Sequence, residues 1–339
     1  MSWAVWITGL PGSGKSVLAR AAVDALAAAG HSAELLELDD MRRLVTPQPT
    51  YSAVERDLVY RALVYVASML VDTGVPVIID ATAHRRQWRD LGRTLLPRFA
   101  EVQVVCAQVP GVDVAYEPAV APDLVVDTTQ ESPAAAGARI AALVKAWPQR
   151  SRQPAPAQWT VWITGLPGSG KTTLASSVAE ALSGRGVGVR ILDLAELRTF
   201  VTAGPWSPLA EDVAHRALVY AAKRLSASGT PVIVDATAPA RAWRQLARQT
   251  IAPFAEVQLI CPASVCGARE RAVRWRLLGC PHRRTAARPA DAPDVVLGYE
   301  PALSPELTIH TDVEDPWSAV QAVLALTRRL QNLERSQVV

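Results

Sequence analysis

Four cysteines in 339 residues are too few for a disulfide-stapled scaffold. Long apolar runs are missing too: stretches such as Ala62–Val71 reach about half the length of a membrane span. The opening residues Met1-Ser-Trp-Ala-Val-Trp6 carry no basic cluster, so the sequence predicts no secretory leader, no membrane anchor, reduced thiols and a cytoplasmic setting. Charge of one sign is also scarce. The formal net charge is +3 and the basic residues are scattered, which gives no footprint for nucleic acid. Lysine is the rarest cation: only Lys15, Lys145, Lys171 and Lys223 are present. Two of these four stand in the same motif. Half of the residues are apolar and a fifth are charged, enough for a sizeable core. At roughly 150 residues per domain the length predicts two domains.

Self-similarity sets the organisation. Trp3–Lys15 (WAVWITGLPGSGK) and Trp159–Lys171 (WTVWITGLPGSGK) differ at one position. Tyr60–Tyr65 recurs as His215–Tyr220, Gly74–Thr82 as Gly229–Thr237, and Phe99–Gln103 as Phe254–Gln258. Tyr116-Glu-Pro-Ala119 recurs as Tyr299-Glu-Pro-Ala302. The expectation is a tandem duplication with domains at 1–147 and 159–339, joined by a polar, proline-rich linker at 148–158. The offset between copies is 156 at the lysines, 155 at Arg61 and Arg216, and 183 at Glu117 and Glu300. The first copy therefore lacks a 28-residue stretch that the second carries within Pro262–Leu297, rich in arginine.

In the first copy, apolar runs predict strands at Trp3–Thr8, Leu35–Leu38, Val75–Ile79, Val102–Cys106 and Leu124–Val126. Helical patterns cover Ser16–Ala29, Ala53–Asp72, His84–Leu96 and Pro133–Trp147. Strands alternating with helices predict an α/β fold: two tandem P-loop NTPase domains, each a parallel β-sheet flanked by helices.

Gly9-Leu10-Pro11-Gly12-Ser13-Gly14-Lys15-Ser16 fits G-x4-G-K-[ST]. So does Gly165-Leu166-Pro167-Gly168-Ser169-Gly170-Lys171-Thr172. Each follows a predicted strand and opens a predicted helix, the context this motif requires. Glycines let backbone N–H groups turn inward around phosphates, and the helix N-terminus adds partial positive charge. Lys15 and Lys171 are then placed for the β/γ-phosphates of ATP, and Ser16 and Thr172 for Mg2+.

Acidic residues recur at two further strand ends, the edge where ligands bind in such sheets. One is Glu37-Leu-Asp39-Asp40 with Arg42, read in the second copy as Asp193-Leu-Ala195-Glu196 with Arg198. The other is Asp80 and Asp235, each followed by Ala-Thr. Such a carboxylate either holds Mg2+ or accepts a substrate proton, or it merely caps a helix N-terminus. Asp39, Asp80 and Asp235 join the two lysines as catalytic candidates.

The ordered set resembles the adenylyl-sulfate (APS) kinase family: Gly-Leu-x-Gly-Ser-Gly-Lys-Ser/Thr, an acidic L-D-x-D-x-x-R-type segment, an aromatic-Ser-x-x-x-Arg helix start, and the closing Tyr299-Glu-Pro-Ala-Leu-Ser-Pro-Glu306-Leu. The resemblance implies transfer of the γ-phosphoryl of MgATP to the 3′-hydroxyl of adenylyl sulfate, in sulfate activation. It implies that Asp39 is the second acid of the family's segment and Glu37 the first. Substrate-binding roles fall on Arg42, Tyr51, Arg56, Arg198, Trp206 and Arg269. It also marks departures. Ala195 replaces the second acid, Glu211 replaces an arginine, and Asp80-Ala-Thr-Ala83 and Asp235-Ala-Thr-Ala238 stand in place of the S-F-I-S-P segment. Arg86, Arg89, Arg241 and Arg244 nearby are kept. The stretch after Cys266 would be a substrate lid. Neither half is complete, and three arrangements stay open: the first copy catalyses with an open site, the second catalyses with Asp235 in place of the missing acid, or the two halves form a pseudo-dimer in which one closes over the other, as family members pair. Two other readings stay open: a P-loop kinase for another small hydroxyl acceptor, and a non-catalytic ATP-binding regulatory protein.

Cys261, Cys266, Cys280 and His282 have irregular spacing for zinc and read as ordinary buried or lid residues. Trp3, Trp6 and Trp88 recur as Trp159, Trp162 and Trp243, which points to core packing.

Overall fold

β1 (Ala4–Thr8) is buried at every residue. It runs parallel to a neighbour on each side, so both of its faces and both of its edges are covered. The computed structural model describes residues 2–106, 115–150, 158–202, 207–278 and 298–337. These fall into two compact units, Met1–Pro154 (unit 1) and Ala155–Val339 (unit 2).

In unit 1, β1 lies between β3 (Val77–Asp80) and β4 (Phe99–Val105). β2 (Glu34–Glu37) and β5 (Leu124–Asp127) form the edges of the sheet. All pairings are parallel, with Ile7 opposite Asp80 and Glu37 opposite Asp80 in register. The crossover helices are α1 (Lys15–Ala28), α2 (Leu38–Val45), α3 (Ala53–Asp72), α4 (Arg86–Leu95) and α5 (Pro133–Leu143). Trp3, Val5 and Ile7 pack with Leu18, Ala22 and Leu26 of α1 and with Ala136 and Ile140 of α5. The two helices touch closely: a Cβ on Gly137 would stand 2.6 Å from the Ala21 carbonyl.

Unit 2 repeats the order. β6 (Thr160–Gly165) sits between β8 (Val232–Asp235) and β9 (Phe254–Ile260), with β7 (Arg190–Asp193) and β10 (Leu307–His310) at the edges. Its helices are α6 (Lys171–Ser183), α7 (Leu194–Val201), α8 (Pro208–Ala227), α9 (Arg241–Thr250), α10 (Ala263–Leu278) and α11 (Pro316–Gln337). Both units are thus all-parallel α/β sheets flanked by helices, and both place the strand C-termini where the glycine-rich loops begin. Among the described residues no helix is long and apolar enough to cross a membrane.

Several expectations shift. Sequence pattern alone did not separate α2 and α7 from the preceding strands. They are eight residues each, and buried Leu38, Met41 and Val45 supply the only apolar stripe in α2. Asp39 and Asp40 therefore lie in a helical first turn rather than at a strand end. α4 starts at Arg86, because Ala83 takes a left-handed φ of 41° and Arg85 is extended. Residues 145–147 close in turns onto the carbonyls of Ala142 and Val144 instead of continuing α5. Pro148–Arg150, expected as linker, are tied into unit 1: Trp3 Nε1 donates to the Pro148 carbonyl at 2.9 Å and Ser32 N to that of Arg150. Trp3, Trp6, Trp88, Trp159 and Trp162 are buried, whereas Trp243 is half-exposed.

Candidate functional site

Each glycine-rich loop wraps from a central strand into a helix. Gly9 has φ 153°, and a Cβ there would lie 2.5 Å from the Val104 carbonyl, so only glycine fits. Lys15 Nζ donates to the Leu10 carbonyl at 2.7 Å, and Lys171 Nζ to those of Gly165 and Leu166 at 3.2 and 3.0 Å. Both ammonium groups sit across their own loop, where phosphate oxygens would lie. Burial lowers the pKa of both lysines; for Lys15 the charges of Asp80 and Asp39 oppose this, and for Lys171 that of Asp235 does so first. Ser13 Oγ and Ser169 Oγ, inside the loops, are buried and have no protein partner.

Asp80 and Asp235 end the strands beside these loops and are buried. Neither caps a helix. Ser16 hydrogen-bonds Asp80, and Thr172 Oγ1 donates to Asp235 Oδ2 at 2.5 Å. Burial raises both carboxyl pKa values, against the pull of those hydroxyls and of the nearby lysines. A hydroxyl and a carboxylate side by side at the start of the helix form a hard oxygen donor set, and so fit a nucleotide-bound Mg2+.

The remaining acids differ between the units. Asp39 is exposed, in the first turn of α2, and its charge acts on both Lys15 and Asp80. In unit 2 that position is Ala195. Asp193 caps α7 instead, accepting from Ala195 N at 2.6 Å and Glu196 N at 3.4 Å. The capping role thus applies to Asp193 and not to Asp39, Asp80 or Asp235. Glu37, at the corresponding position, pairs with Arg20 at 2.7 Å.

Arg42 pairs with buried Glu55 at 3.2 Å and lies over the Tyr51 ring, 5.3 Å from its centroid. Tyr51 is exposed and holds a positive φ of 53°. Burial opposes the charge on Glu55. Hydrogen bonds from Thr50 Oγ1, Thr50 N and Tyr51 N, together with Arg42, outweigh it and hold the carboxyl below its ordinary range. Arg56, one residue further along α3, has no ion pair among the described residues and acts electrostatically on Tyr60 and His84. In unit 2 Arg198 pairs with Glu211, which also faces His215 Nδ1 at 3.5 Å. Trp206 lies outside the described residues.

Arg269, on α10, donates to the Thr311 carbonyl at 2.7 Å and to Thr311 Oγ1 at 3.2 Å. Thr311 Oγ1 in turn donates to the Ser169 carbonyl at 2.8 Å. Arg269 is therefore placed at the back of the loop that would hold phosphates. α10 also lies directly against that loop: a Cβ on Gly168 would collide with the Cys266 carbonyl. Cys261 and Cys266 are buried, and Cys266 Sγ donates to the Cys261 carbonyl at 3.7 Å. Cys280 and His282, and the arginines beyond 278 except those past 297, lie outside the described residues.

Sequence reasoning missed three supports. Thr128 Oγ1 donates to the Ser13 carbonyl at 3.0 Å, the unit 1 counterpart of Thr311; the shared offset of 183 could have found it. Thr8 donates to the Thr82 carbonyl at 2.6 Å and so receives the Tyr116 hydroxyl at 3.0 Å, with Tyr299 on Thr164 in unit 2. Glu117 and Glu300 accept the first amides of α4 and α9 at 2.6 and 2.7 Å. The Tyr-Glu-Pro-Ala recurrence is a latch over the strand ends. Arg89 and Arg244 are structural too: fully buried, each pairs with a glutamate (Glu101, 2.6 Å; Glu256, 2.7 Å) and binds loop carbonyls.

Beside Gly14, an apolar slot of about 200 Å³ opens in unit 1 between α1 and α5, lined by Val17, Leu18, Thr128, Glu131 and Pro133.

The adenylylsulphate kinase family model matches residues 1–109 and 157–274. The adenylyl-sulfate kinase of Rippkaea orientalis is 32% identical over 175 residues, 51% of this chain and 92% of that protein. That of a Picosynechococcus species is 31% identical over 166 residues, 49% of this chain and 90% of the relative. Among solved structures, the Mycobacterium tuberculosis APS kinase CysC in complex with AMPPNP and APS is 27% identical, with a TM-score of 0.42, covering 51% of this chain and 99% of that one.

Proposed function

The chain belongs to the adenylylsulphate kinase family, whose members are phosphotransferases, and we propose that it moves the γ-phosphoryl group of ATP to the 3′-hydroxyl of adenylyl sulfate. The observation that carries this reading is the convergence in unit 1 of Lys15, the Ser16–Asp80 pair and the exposed Asp39 at one end of the sheet.

The loop amides and Lys15 hold the β- and γ-phosphates, and the slot beside Gly14 takes the base. Ser16 and Asp80 would hold the Mg2+, which when bound would neutralise phosphate charge. Tyr51 stacks on the acceptor's base, and Arg42 and Arg56 face its anionic groups. Asp39 accepts the hydroxyl proton as the acceptor oxygen bonds to the γ-phosphorus and the bond to the bridging oxygen breaks, releasing ADP. Most of the catalysis is positioning and charge neutralisation, which the loop and the two carboxylates supply.

The test is ADP release from MgATP with and without adenylyl sulfate, with the 3′-phosphorylated product detected directly. Acceptor-dependent ADP with that product supports the reading; ADP without it refutes it. One observation favours a second reading, a different small hydroxyl acceptor. Ala83 stands where the resemblance places a serine. Its side chain is a methyl and offers an acceptor no hydroxyl, and its backbone N–H and carbonyl are already taken by Tyr60 Oη at 2.9 Å and by Arg89.

A further inference from the structure

We propose that unit 2 is a nucleotide-binding site that performs no transfer: it holds a nucleoside triphosphate with Mg2+ and does not accept the anionic acceptor. This rests on the function proposed above for unit 1.

The phosphate-facing groups of unit 2 match those of unit 1. Lys171 crosses its loop and Thr172 meets Asp235. The loop is braced from behind by Thr311 and Arg269, and α10 packs on Gly168.

The acceptor side has lost its chemistry at two positions. Ala195 removes the carboxylate that Asp39 offers; Asp193, whose charge reaches Lys171 and Asp235, stands at the position of Glu37 instead, with its Oδ1 committed to two amides of α7. Helix register then decides the second position. Trp88 Nε1 donates to Asp57 and Trp243 Nε1 to Asp212, at 2.9 and 2.8 Å, so Asp57 and Asp212 are equivalent. Glu211 therefore occupies the place of Arg56, and Ala210 that of Glu55. Unit 1 keeps two arginines against one glutamate at these positions, a surplus of one positive charge. Unit 2 has one arginine and one glutamate in contact, with no surplus. At these positions, among the described residues, a doubly charged acceptor meets an arginine without an ion pair in unit 1 and a neutralised pair in unit 2.

The experiment uses the full chain. Binding of the β,γ-imido analogue of ATP with Mg2+ is counted by equilibrium dialysis, and transfer is measured in parallel. The wild type should bind two equivalents. Lys15→Ala should bind one equivalent and lose transfer at least a hundredfold. Asp39→Asn should bind two equivalents and lose transfer similarly, which guards against a Lys15→Ala chain whose unit 1 fails to fold. Adding Ala195→Asp and Glu211→Arg to Lys15→Ala should restore transfer at least tenfold. Lys15→Ala binding no nucleotide, or retaining most of the transfer, overturns the proposal, as does absence of any rescue. If the wild type binds two nucleotides but never phosphorylates adenylyl sulfate, the acceptor reading has failed. The present proposal is then decided by slow ADP release to water: lost in Lys15→Ala it stands, retained it falls.

Discussion

Unit 1 and unit 2 hold the same arginine by different means. Arg42 is held by Glu55 from the third residue of α3, and Arg198 by Glu211 from the fourth residue of α8. In both cases the partners are 13 residues apart. The loop before the helix is one residue shorter in unit 2, so keeping the ion pair moves the acid one step along the helix. That step places it where unit 1 has Arg56, which has no ion pair among the described residues. A local pairing is preserved while the surplus positive charge at these positions is lost, and a comparison restricted to ion pairs would find the units alike.

The largest effect that would sharpen this contrast is at Asp39. Asp39→Asn should lower kcat on the order of 10²–10⁴-fold with little change in KM for ATP, as for loss of a proton acceptor. Steady-state kinetics check this; an unchanged kcat removes Asp39 from the chemistry. Next is Arg89→Met. It leaves Glu101 buried without its closest partner and should cost about 3–5 kcal/mol, lowering the denaturant midpoint of unit 1; Arg244→Met should do the same to unit 2. If only one midpoint moves, the two latches are not equivalent.

Asp80→Asn should weaken Mg2+-dependent nucleotide binding in unit 1 about 10–100-fold. Because burial raises the Asp80 pKa, protonation on acidification should erode Mg2+ binding at a higher pH than for an ordinary carboxylate. Mg2+ titrations from pH 7.5 downward test the sign. The same loss is expected in unit 2, where burial likewise raises Asp235, so the pH response should not separate the units.

The smallest effect is a reciprocal swap. Tyr60 stacks on Trp88 and its hydroxyl takes the Ala83 amide; burial pushes its pKa up to about 12. His215 stacks on Trp243 in the same way, and burial brings its pKa down to about 3. His215 Nδ1 gives its proton to the Glu211 carbonyl, and Nε2 is left buried without a partner. Tyr60→Phe should destabilise by about 1 kcal/mol and His215→Tyr should stabilise by a similar amount. Thermal unfolding of the pair checks both signs.

The parallel sheets and both phosphate loops were legible because each carries a strong local signal: continuous apolar strands, and glycines at fixed spacing before a helix. Asp80 and Asp235 were legible as strand-end acids, but the choice between cap and metal ligand was not. It depends on Ser16 and Thr172, more than 60 residues away in sequence. Asp193 shows the reverse, a residue with the right spacing whose side chain serves its own helix. Arg269 was expected among the acceptor contacts; its hydrogen bonds instead put it behind the loop, through a threonine 42 residues on. The Tyr-Glu-Pro-Ala recurrence was visible as a pattern and silent as to cause, since its partners are the far ends of β1 and α4.

That latch has a consequence for how the chain can lengthen. In unit 1 ten residues (106–115) run from the end of β4 to Tyr116; in unit 2 there are 38 (261–298) between the end of β9 and Tyr299. Both ends of each excursion are fastened by the same bonds. In unit 2 the first part of the longer excursion is α10, which packs on Gly168 and sets Arg269 behind the loop through Thr311, so the added length also adds a buttress to the nucleotide cradle that unit 1 does without among the described residues.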